Sequence, residues 1–367
     1  MKNPNMVLIV RNAPCFNHVR VRKFTQYFSK NNIYFKCLCW QREKKEYDPS
    51  GNEKYVLKGG GYSKKKLAFF YIFWVTIVFF YLVFLRNPKN VIVLACDFDS
   101  ALPACLASIF RPSLRFIYDI HDDFSLRYRL PVVLKNIISR ADKFIKNRAH
   151  TVIHVDANRV RQGDINYRVI PNIPPQKKRS AQLKKHNPPN LIFGYAGLLS
   201  NGRGLGSMHK FFNENQHCKL ILAGNIVNHD GQKLSSLNNV DYLGSIEQES
   251  LFQKLENCDA LFCLYDPTLE INRLAASNKV YDALMLNKPI IINEGLLISD
   301  VIAEHGLGLV IPYDYSQKWD VILKLDEQDF KNFRLKTRSY YDKHFNYDVV
   351  VNGTIKDIFS PFFKGTI

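Results

Sequence analysis

A glycine-rich segment, GLLSNGRGLGS at residues 197–207, has the composition of an anion-binding loop. It follows an apolar run, LIFGYA, that is typical of a buried strand. Glycines let a backbone approach a phosphate closely, and a helix that begins after them directs its first amides at the anion. We therefore predict a phosphate site at Gly197, Gly202 and Gly204, where the guanidinium of Arg203 can donate two hydrogen bonds.

The loop matches neither of the two common phosphate-binding fingerprints. Counted from Gly202, the pattern GxGxxG requires glycine at the position of Ser207. Counted from Gly197, the P-loop pattern requires Lys and then Ser or Thr, where Arg203 and Gly204 stand. An ordinary strand-to-helix turn therefore stays an alternative explanation of this segment.

A second group of polar residues opens a predicted helix, SNKVYDALML. Ser277 and Asn278 suit its start, and the apolar residues after them have helical spacing. Lys279 then falls in the first turn, where a cation is unfavourable unless an anion is also present. Asp282 lies one turn further along, near enough to accept hydrogen bonds from a ribose. Two solvated helix charges are the simpler alternative.

Strand-like runs alternate with helix-length segments, which is typical of parallel sheets covered by helices on both faces. The runs form two series: 6–10, 33–40, 91–96, 115–120 and 151–155, then 191–197, 219–224, 240–244, 259–265, 288–293 and 308–312. We predict two doubly wound α/β domains, 1–172 and 191–335, joined by a proline- and lysine-rich linker at 173–190. Residues 336–367 are aromatic and helix-like, and we expect them to pack back on the N-terminal domain.

The composition indicates an anionic partner. The 51 basic and 33 acidic residues give a net charge of +18, which favours a phosphate-bearing ligand or an anionic lipid surface. We predict no nucleic-acid partner, because zinc-finger spacings, RNP-like aromatic strings and basic heptads are absent. The eight cysteines form no CxxC pair. We therefore predict that they are core residues of a protein in a reducing cytosol and that they form neither disulfides nor a metal site.

Six segments occur in an order and spacing that point to a family: VIPN, YAGLLSNGRGL, LILAGN, YLGSIEQESL, CDALFCLY and SNKVYDALMLNKPII. In them the chain resembles the retaining glycosyltransferases of family 4. The resemblance implies the GT-B fold, two facing Rossmann-like domains with a cleft between them. It also implies that Arg203 and Lys279 face the diphosphate of a UDP- or GDP-sugar and that Asp282 holds the ribose. The further donor-binding residues that it implies are Gly197, Gly202, Gly204, Gly244, Ser245, Ile246, Ser277 and Asn278.

Two departures from the family pattern concern this donor site. The family commonly has an arginine after the first glycine of the loop, where Leu198 stands. It also commonly has a glutamate eight residues before the ribose-binding acid, where Leu274 stands. Glu270 is nearby but out of register, and we include it among the donor-binding residues. A non-catalytic relative that binds a membrane is therefore an alternative.

The resemblance extends to the first half of the chain. The segment YDIHDDFSLRY resembles the family's acceptor-side strand end, and it implies that His121 contacts a sugar hydroxyl. Its neighbours Asp119, Asp122 and Asp123 would tune it, and Asp122 is included among the acceptor-binding residues. The segment RNAPCFNHVRVRKF after the first strand would face the acceptor. The acceptor-binding residues implied there are Asn12, Arg20 and Arg22. The two arginines could hold an acceptor phosphate, although as exposed helix charges they need no such role.

We predict no cofactor and no metal. Asp97 and Asp99 mimic a metal-binding DxD motif, but a fold of this kind usually works without a metal, so we assign them structural or acceptor-side roles. The chemistry would depend on stabilising the leaving diphosphate and on placing the acceptor hydroxyl close to the sugar.

The longest apolar run, residues 67–85, could form a helix of roughly 28 Å, close to the thickness of a bilayer core. A crossing would put strands of one predicted sheet on opposite sides of the membrane, so we predict that the run does not span. Burial as an ordinary helix is one alternative. We favour a helix docked on the cytoplasmic face of the plasma membrane. The residues expected at the membrane are Lys64, Lys65, Lys66, Phe73, Trp74, Phe79, Phe80 and Arg86.

These features together predict a peripheral, membrane-docked retaining glycosyltransferase that extends a lipid-linked saccharide in bacterial O-antigen, capsule or lipopolysaccharide synthesis. A nucleotide-sugar epimerase or dehydrogenase is a second alternative. The sequence after the first strand, RNAPCF, lacks the GxGxxG that such an enzyme would need there, and a suitably placed YxxxK pair is missing as well.

Overall fold

The computed structural model describes residues 6–16, 18–43, 51–61, 64–122, 124, 131–161, 163–175, 190–274 and 277–363. Two predictions lie outside the described residues in large part. They concern the linker, of which 176–189 are not described, and the side chains of Lys64, Lys65 and Lys66.

The chain divides into two compact units. The first unit comprises Met1–Asn172 and Asp348–Ile367, and the second comprises Ile173–Tyr347. The expected start of the C-terminal segment at 336 is wrong, because the helix Glu327–His344 continues through that position. Only the residues after Tyr347 return to the first unit.

The first unit contains a parallel seven-stranded sheet. Its strands are β1 (Met6–Arg11), β2 (Phe35–Gln41), β3 (Glu53–Lys58), β4 (Val91–Cys96), β5 (Arg115–Ile120), β6 (Thr151–His154) and β7 (Tyr167–Val169). Their order across the sheet is β3-β2-β1-β4-β5-β6-β7. The sequence prediction omits β3 and β7, because β3 mixes charged with apolar residues and β7 is only 3 residues long.

Four helices of this unit follow its strands. They are α1 (Val19–Lys30), α2 (Lys64–Val83), α3 (Phe98–Phe110) and α4 (Val132–Arg148). The helices α2, α3 and α4 connect β3, β4, β5 and β6 in turn, and right-handed crossovers between parallel strands place them on one face of the sheet. In agreement with this, α3 packs against both α2 and α4.

The helix α2 covers the apolar run and lies on the core along one side only. Trp74, Val78 and Leu82 recur every four residues and are fully buried, and Trp74 stacks on Trp40 of β2. The assignment of Trp74 to a membrane interface is therefore wrong, since its helical position turns it toward the sheet. Within the described part of the chain, no helix is long and apolar enough to cross a membrane.

The second unit contains a parallel six-stranded sheet. Its strands are β8 (Ile192–Ala196), β9 (Lys219–Ala223), β10 (Val240–Tyr242), β11 (Ala260–Cys263), β12 (Ile290–Asn293) and β13 (Gly308–Ile311). Its helices are α5 (Leu205–Glu214), α6 (His229–Ser235), α7 (Gln248–Leu255), α8 (Glu270–Arg273), α9 (Asn278–Met285), α10 (Leu297–Glu304) and α11 (Glu327–His344). All six strands lie within the runs that the sequence predicts.

The chain then enters the first unit again as α12 (Thr354–Phe359). The ring of Phe359 packs edge-on against Phe24 and Phe28 of α1, with a centroid distance of 4.9 Å to Phe28. The C-terminal residues therefore cover the α1 side of the first sheet.

The two sheets share one topology. The second has the order β10-β9-β8-β11-β12-β13, so the strand order reverses between β8 and β11 as it does between β1 and β4 in the first. Ligands of open parallel sheets bind beyond the carboxyl ends of the strands at such a reversal. The fold therefore predicts ligand-binding residues after β1 and β4 in the first unit, and after β8 and β11 in the second.

Candidate active site

The loop after β8 is shaped by glycines that no other residue could replace without strain. Gly197, Gly202 and Gly204 have positive φ angles of 145°, 74° and 67°. A Cβ on Gly204 would lie 2.7 Å from the Cβ of Leu264. Gly204 is the N-cap of α5, which begins at Leu205. The structure thus confirms the prediction that a helix follows the glycine loop and points its first amides back toward it.

Gly197, Gly224 and Gly244 lie at the ends of neighbouring strands, where only backbone atoms are exposed to a ligand. A Cβ on Gly224 would lie 1.8 Å from the carbonyl oxygen of Gly197, so the two strand ends touch. The amide of Gly224 donates to the carbonyl oxygen of Gly244 at 2.7 Å. The sequence prediction includes Gly197 and Gly244 but not Gly224, although Gly224 lies in the quoted segment LILAGN.

Lys279 lies against this backbone. It is the second residue of α9, whose N-cap is Ser277, so the predicted position in the first turn is correct. A Cβ on Gly197 would lie 3.2 Å from the Lys279 ammonium nitrogen. The ammonium donates a 2.9 Å hydrogen bond to the hydroxyl of Tyr265, and it lies 4.9 Å from the ring centre of Tyr195.

Tyr265 joins the two predicted cations. The guanidinium of Arg203 lies 4.3 Å from the centre of its ring, and the ammonium of Lys279 lies 4.5 Å from it. Its hydroxyl is also 2.8 Å from the Ser277 Oγ. The sequence prediction missed Tyr265, whose signal was its position as the last residue of the apolar run 259–265 that contains β11. We call Arg203, Tyr265, Ser277 and Lys279 the cationic cluster.

The electrostatics of the cationic cluster favour an anion. Burial raises the pKa of Tyr265, but Lys279 and Arg203 outweigh burial and lower it. Burial lowers the pKa of Lys279, but the hydroxyls of Tyr195 and Tyr265 outweigh burial and raise it, so the ammonium stays charged. Among the described residues, neither Arg203 nor Lys279 forms an ion pair with a carboxylate. Within the described part of the chain these two positive charges lie on one ring without a carboxylate partner, and a phosphate would supply the missing negative charge.

The other predicted donor residues are less closely associated. Asp282 is half-buried on α9, one turn after Lys279, and Asn278 is exposed at the start of that helix. Glu270 is the exposed first residue of α8, and no contact joins it to the cationic cluster in the part of the chain that is described. The remaining two, in the loop after β10, are the exposed Ser245 and the half-buried Ile246.

The first unit places a histidine beyond the end of β5. The Nε2 of His121 is 2.8 Å from Asp119, and its Nδ1 is 3.5 Å from Asp97. The ring stacks on His18 with a centroid distance of 4.9 Å. The backbone amide of His121 donates to Asp97 at 2.9 Å. His121 is therefore held in one orientation, with each ring nitrogen directed at a carboxylate.

Arg20 is not available to an acceptor. It is 2% exposed, forms a buried ion pair with Asp119 and donates to the carbonyl oxygen of Ile170 at 2.6 Å. Burial raises the pKa of Asp119, but Arg20 and His121 outweigh burial and hold it at about 2. The assignment of Arg20 to acceptor binding is wrong, because the guanidinium neutralises a buried carboxylate.

The other residues predicted to bind the acceptor are paired within the protein or partly buried. Asn12 is 7% exposed and donates to Asp99 and to the hydroxyl of Tyr71, so its amide turns into the protein. Asp122 forms a 3.1 Å ion pair with Arg159. Arg22 is half-buried on α1.

Two groups of side chains have spacings that a metal ion could use. The first consists of Cys96, Asp119 and His121, and the second of Cys15, Cys39 and Glu53. In the first group Asp119 is already paired with Arg20, and burial raises the pKa of Cys96, which keeps the thiol protonated. In the second group an oxygen of Glu53 accepts the backbone amides of Cys15 and Phe16. Their carboxylates thus have protein partners already.

No protein-family model matches the chain, and no curated protein matches it in sequence. Solved structures do match it over nearly its whole length. Sucrose-phosphate synthase from Thermosynechococcus elongatus has a TM-score of 0.73 at 13% identity, covering 98% of this chain and 99% of that one. The lipopolysaccharide outer core galactosyltransferase WaaB has 0.64 at 14%, covering 97% and 99%. HepE of Anabaena, solved with UDP and glucose, has 0.67 at 14%, covering 97% and 99%.

These neighbours are GT-B glycosyltransferases, and the chain has the same fold. Its two parallel α/β sheets of seven and six strands are the two Rossmann-like domains of GT-B. The predicted fold class is therefore confirmed.

Proposed function

We propose that the chain is a retaining glycosyltransferase of family 4 that transfers a sugar from a UDP- or GDP-sugar to a lipid-linked saccharide. The observation that carries this proposal is that Arg203 and Lys279 both lie on the ring of Tyr265, with Lys279 against the backbone of Gly197 and with no carboxylate partner of either cation among the described residues. The neighbour HepE, solved with UDP and with UDP-glucose, supports a uridine nucleotide.

The proposed chemistry follows from the charge of the leaving group. A nucleoside diphosphate gains negative charge as the bond to the sugar breaks, and Arg203, Lys279 and the first amides of α5 are placed to stabilise it. The sugar would keep its configuration because the acceptor hydroxyl attacks from the face that the diphosphate leaves. Asp282 would bind the ribose, and the loop of Gly244, Ser245 and Ile246 would lie beside the base.

His121 is our proposed contact for a sugar hydroxyl. Its 2.8 Å contact with Asp119 orients the ring, while its 3.5 Å contact with Asp97 is long enough to be exchanged for a hydroxyl. Arg20 and Asn12 would act behind it as structural partners.

We propose that the protein works at the cytoplasmic face of a bacterial plasma membrane, where it would reach a lipid-linked acceptor. The exposed Phe73 and Phe80 of α2 support this location, as does the basic balance of the chain. Phe79 packs partly against the core and would contribute less. Two neighbours, WaaB and WaaG, are described as lipopolysaccharide enzymes, which supports a role in bacterial surface-glycan synthesis.

A thermal-shift panel of UDP, GDP, ADP and NAD, with and without EDTA, tests the proposal. We expect one nucleoside diphosphate to raise the melting temperature, and EDTA to leave that shift unchanged. A shift with NAD alone would favour an oxidoreductase. The absence of any shift in a folded sample would favour a non-catalytic homologue, a candidate suggested by the 50% exposed Leu198, which stands where the family has an arginine.

A further inference from the structure

The exposed apolar side chains of the chain are concentrated on one face of the first unit. Half of the large apolar side chains that are exposed in the described part of the chain lie on α2, α3 and α4 or directly after α2. These three helices lie side by side on the same face of the sheet, and α3 packs against both of its neighbours. A surface of this kind marks an interaction site.

The helix α4 shows an apolar stripe that the core does not use. Val133, Ile137 and Phe144 are 72%, 56% and 53% exposed. They are spaced four and seven residues apart, so they share one side of the helix. Ile145, which lies about 100° around the helix from Phe144, is fully buried. The helix is therefore apolar toward the solvent as well as toward the core.

The end of α3 connects this stripe to α2. Phe110 is 66% exposed and its ring lies 5.7 Å from that of Phe79. On α2 the exposed large apolar residues are Phe69, Ile72, Phe73 and Phe80. We define the docking face as the outward side chains of α2, of the end of α3 and of α4.

Charge identifies the occupant of the docking face. Exposed Arg140 and Lys143 lie beside the apolar stripe of α4, and Arg86 is exposed just after α2. The two acidic residues in these helices are Asp99, which is buried, and Asp142, which pairs with Lys146 at 3.3 Å. Two copies of such a face would repel each other, whereas an anionic bilayer offers both hydrocarbon and negative charge.

We propose that the whole docking face binds an anionic lipid bilayer, with α4 as a second membrane-contacting helix beside α2. The stripe Val133, Ile137 and Phe144 enters the interface, and Arg140 and Lys143 contact lipid phosphates. This inference deepens the proposed function because it defines the surface through which a lipid-linked acceptor is reached. It does not depend on the chemistry of the cationic cluster.

Vesicle flotation of the full chain tests this proposal. The vesicles contain phosphatidylcholine with or without phosphatidylglycerol. We compare wild type with the α4 variant Val133→Ser/Ile137→Ser and the charge variant Arg140→Gln/Lys143→Gln. The matched control is Val321→Ser/Leu335→Ser, which removes apolar side chains that are exposed in the second unit.

We expect the α4 variant to bind anionic vesicles on the order of tenfold more weakly than wild type, and the control to bind normally. We expect the charge variant to lose on the order of tenfold on anionic vesicles only, and the wild-type affinity to fall with salt. Circular dichroism and thermal melting report whether each variant is folded.

Three outcomes would overturn the proposal. In the first, the α4 variant binds vesicles as wild type does. In the second, the wild-type protein binds no vesicles. In the third, the wild-type protein is a dimer in solution and the α4 variant is a monomer, which would make the face an interface between two copies. The nucleotide panel is a separate readout. If the protein binds vesicles through α4 but binds no nucleotide, the docking face is supported and the transferase function is contradicted. If it binds a nucleotide but no vesicles, the transferase function is supported and the docking face is contradicted.

Discussion

Lys279 donates a hydrogen bond of 2.9 Å to the hydroxyl of Tyr265. The variant Tyr265→Phe keeps the ring under Arg203 but leaves the ammonium without this acceptor. We expect nucleoside diphosphate affinity to fall about tenfold, equivalent to about 1.4 kcal/mol for one hydrogen bond to a charged group. Titration calorimetry with the nucleotide that the panel selects measures it. An unchanged affinity would mean that Tyr265 does not position Lys279.

Removal of either cation tests the diphosphate site. We expect Lys279→Ala and Arg203→Ala each to reduce transition-state stabilisation by about 2 to 4 kcal/mol, measured as kcat/KM. Lys210→Ala, at an exposed lysine of α5, is the control and should retain wild-type activity. Near-normal turnover in both Lys279→Ala and Arg203→Ala would contradict the assignment of these residues to a diphosphate site.

Two glycine-to-alanine substitutions distinguish the cost of a positive φ angle from the cost of a steric clash. Gly224→Ala puts a methyl group 1.8 Å from the carbonyl oxygen of Gly197, whereas Gly244→Ala meets nothing within 4 Å. Both have positive φ, so we expect Gly244→Ala to cost about 1 kcal/mol. We expect Gly224→Ala to cost about 2 kcal/mol more and to weaken nucleotide binding. Urea denaturation measures the first effect and calorimetry the second; equal costs would contradict this account of the loop.

The buried ion pair of Arg20 and Asp119 predicts a pH dependence. The pKa of Asp119 is about 2 in the fold, below its ordinary value of 3.8, so the ionised form stabilises the fold above about pH 4. This contribution, about 2 kcal/mol, disappears as the pH falls toward 2. We therefore expect the stability gap between wild type and Asp119→Asn to narrow by about that amount from pH 5 to pH 2.

Urea titrations at several pH values measure this gap. Asp241→Asn, at an exposed carboxylate, is the control and should show no such narrowing. A gap for Asp119→Asn that stays constant over the range would show that the ion pair does not control the acid response.

Two adjacent residues of α2 distinguish the core side from the docking face. Trp74 is fully buried and Phe73 is 43% exposed. We expect Trp74→Ala to reduce the free energy of unfolding by about 3 to 5 kcal/mol, and Phe73→Ser to change it by less than about 1 kcal/mol. We expect only Phe73→Ser to weaken vesicle binding while the fold is intact. Similar losses of stability in both would contradict the orientation of α2.

Most strands of the second unit were predictable because they are short, nearly continuous apolar runs, as a parallel sheet covered on both faces requires. The same reasoning found the glycine loop and the first turn of α9, since positive φ and helix starts have local residue preferences. The edge strand β3 was missed, because an edge strand needs no continuous apolar run.

The association of Arg203 and Lys279 with Tyr265 could not be read from local pattern. Arg203 follows β8, whereas Tyr265 and Lys279 follow β11, and only the strand order brings the ends of β8 and β11 together. Leu199 illustrates the same limit, since it is buried in a loop whose neighbour Leu198 is 50% exposed.

The sequence by itself determined the two α/β domains, the glycine loop that leads into a helix and the helix formed by the apolar run, because periodicity and backbone preference are local properties. The tertiary structure decided which charges are available and which are neutralised. Arg20 and Arg203 look alike in the sequence, yet Arg20 is paired with the buried Asp119, whereas Arg203 lies on the ring of Tyr265. Trp74 and Phe73 differ in the same way, because burial depends on what packs against a helix from elsewhere in the chain.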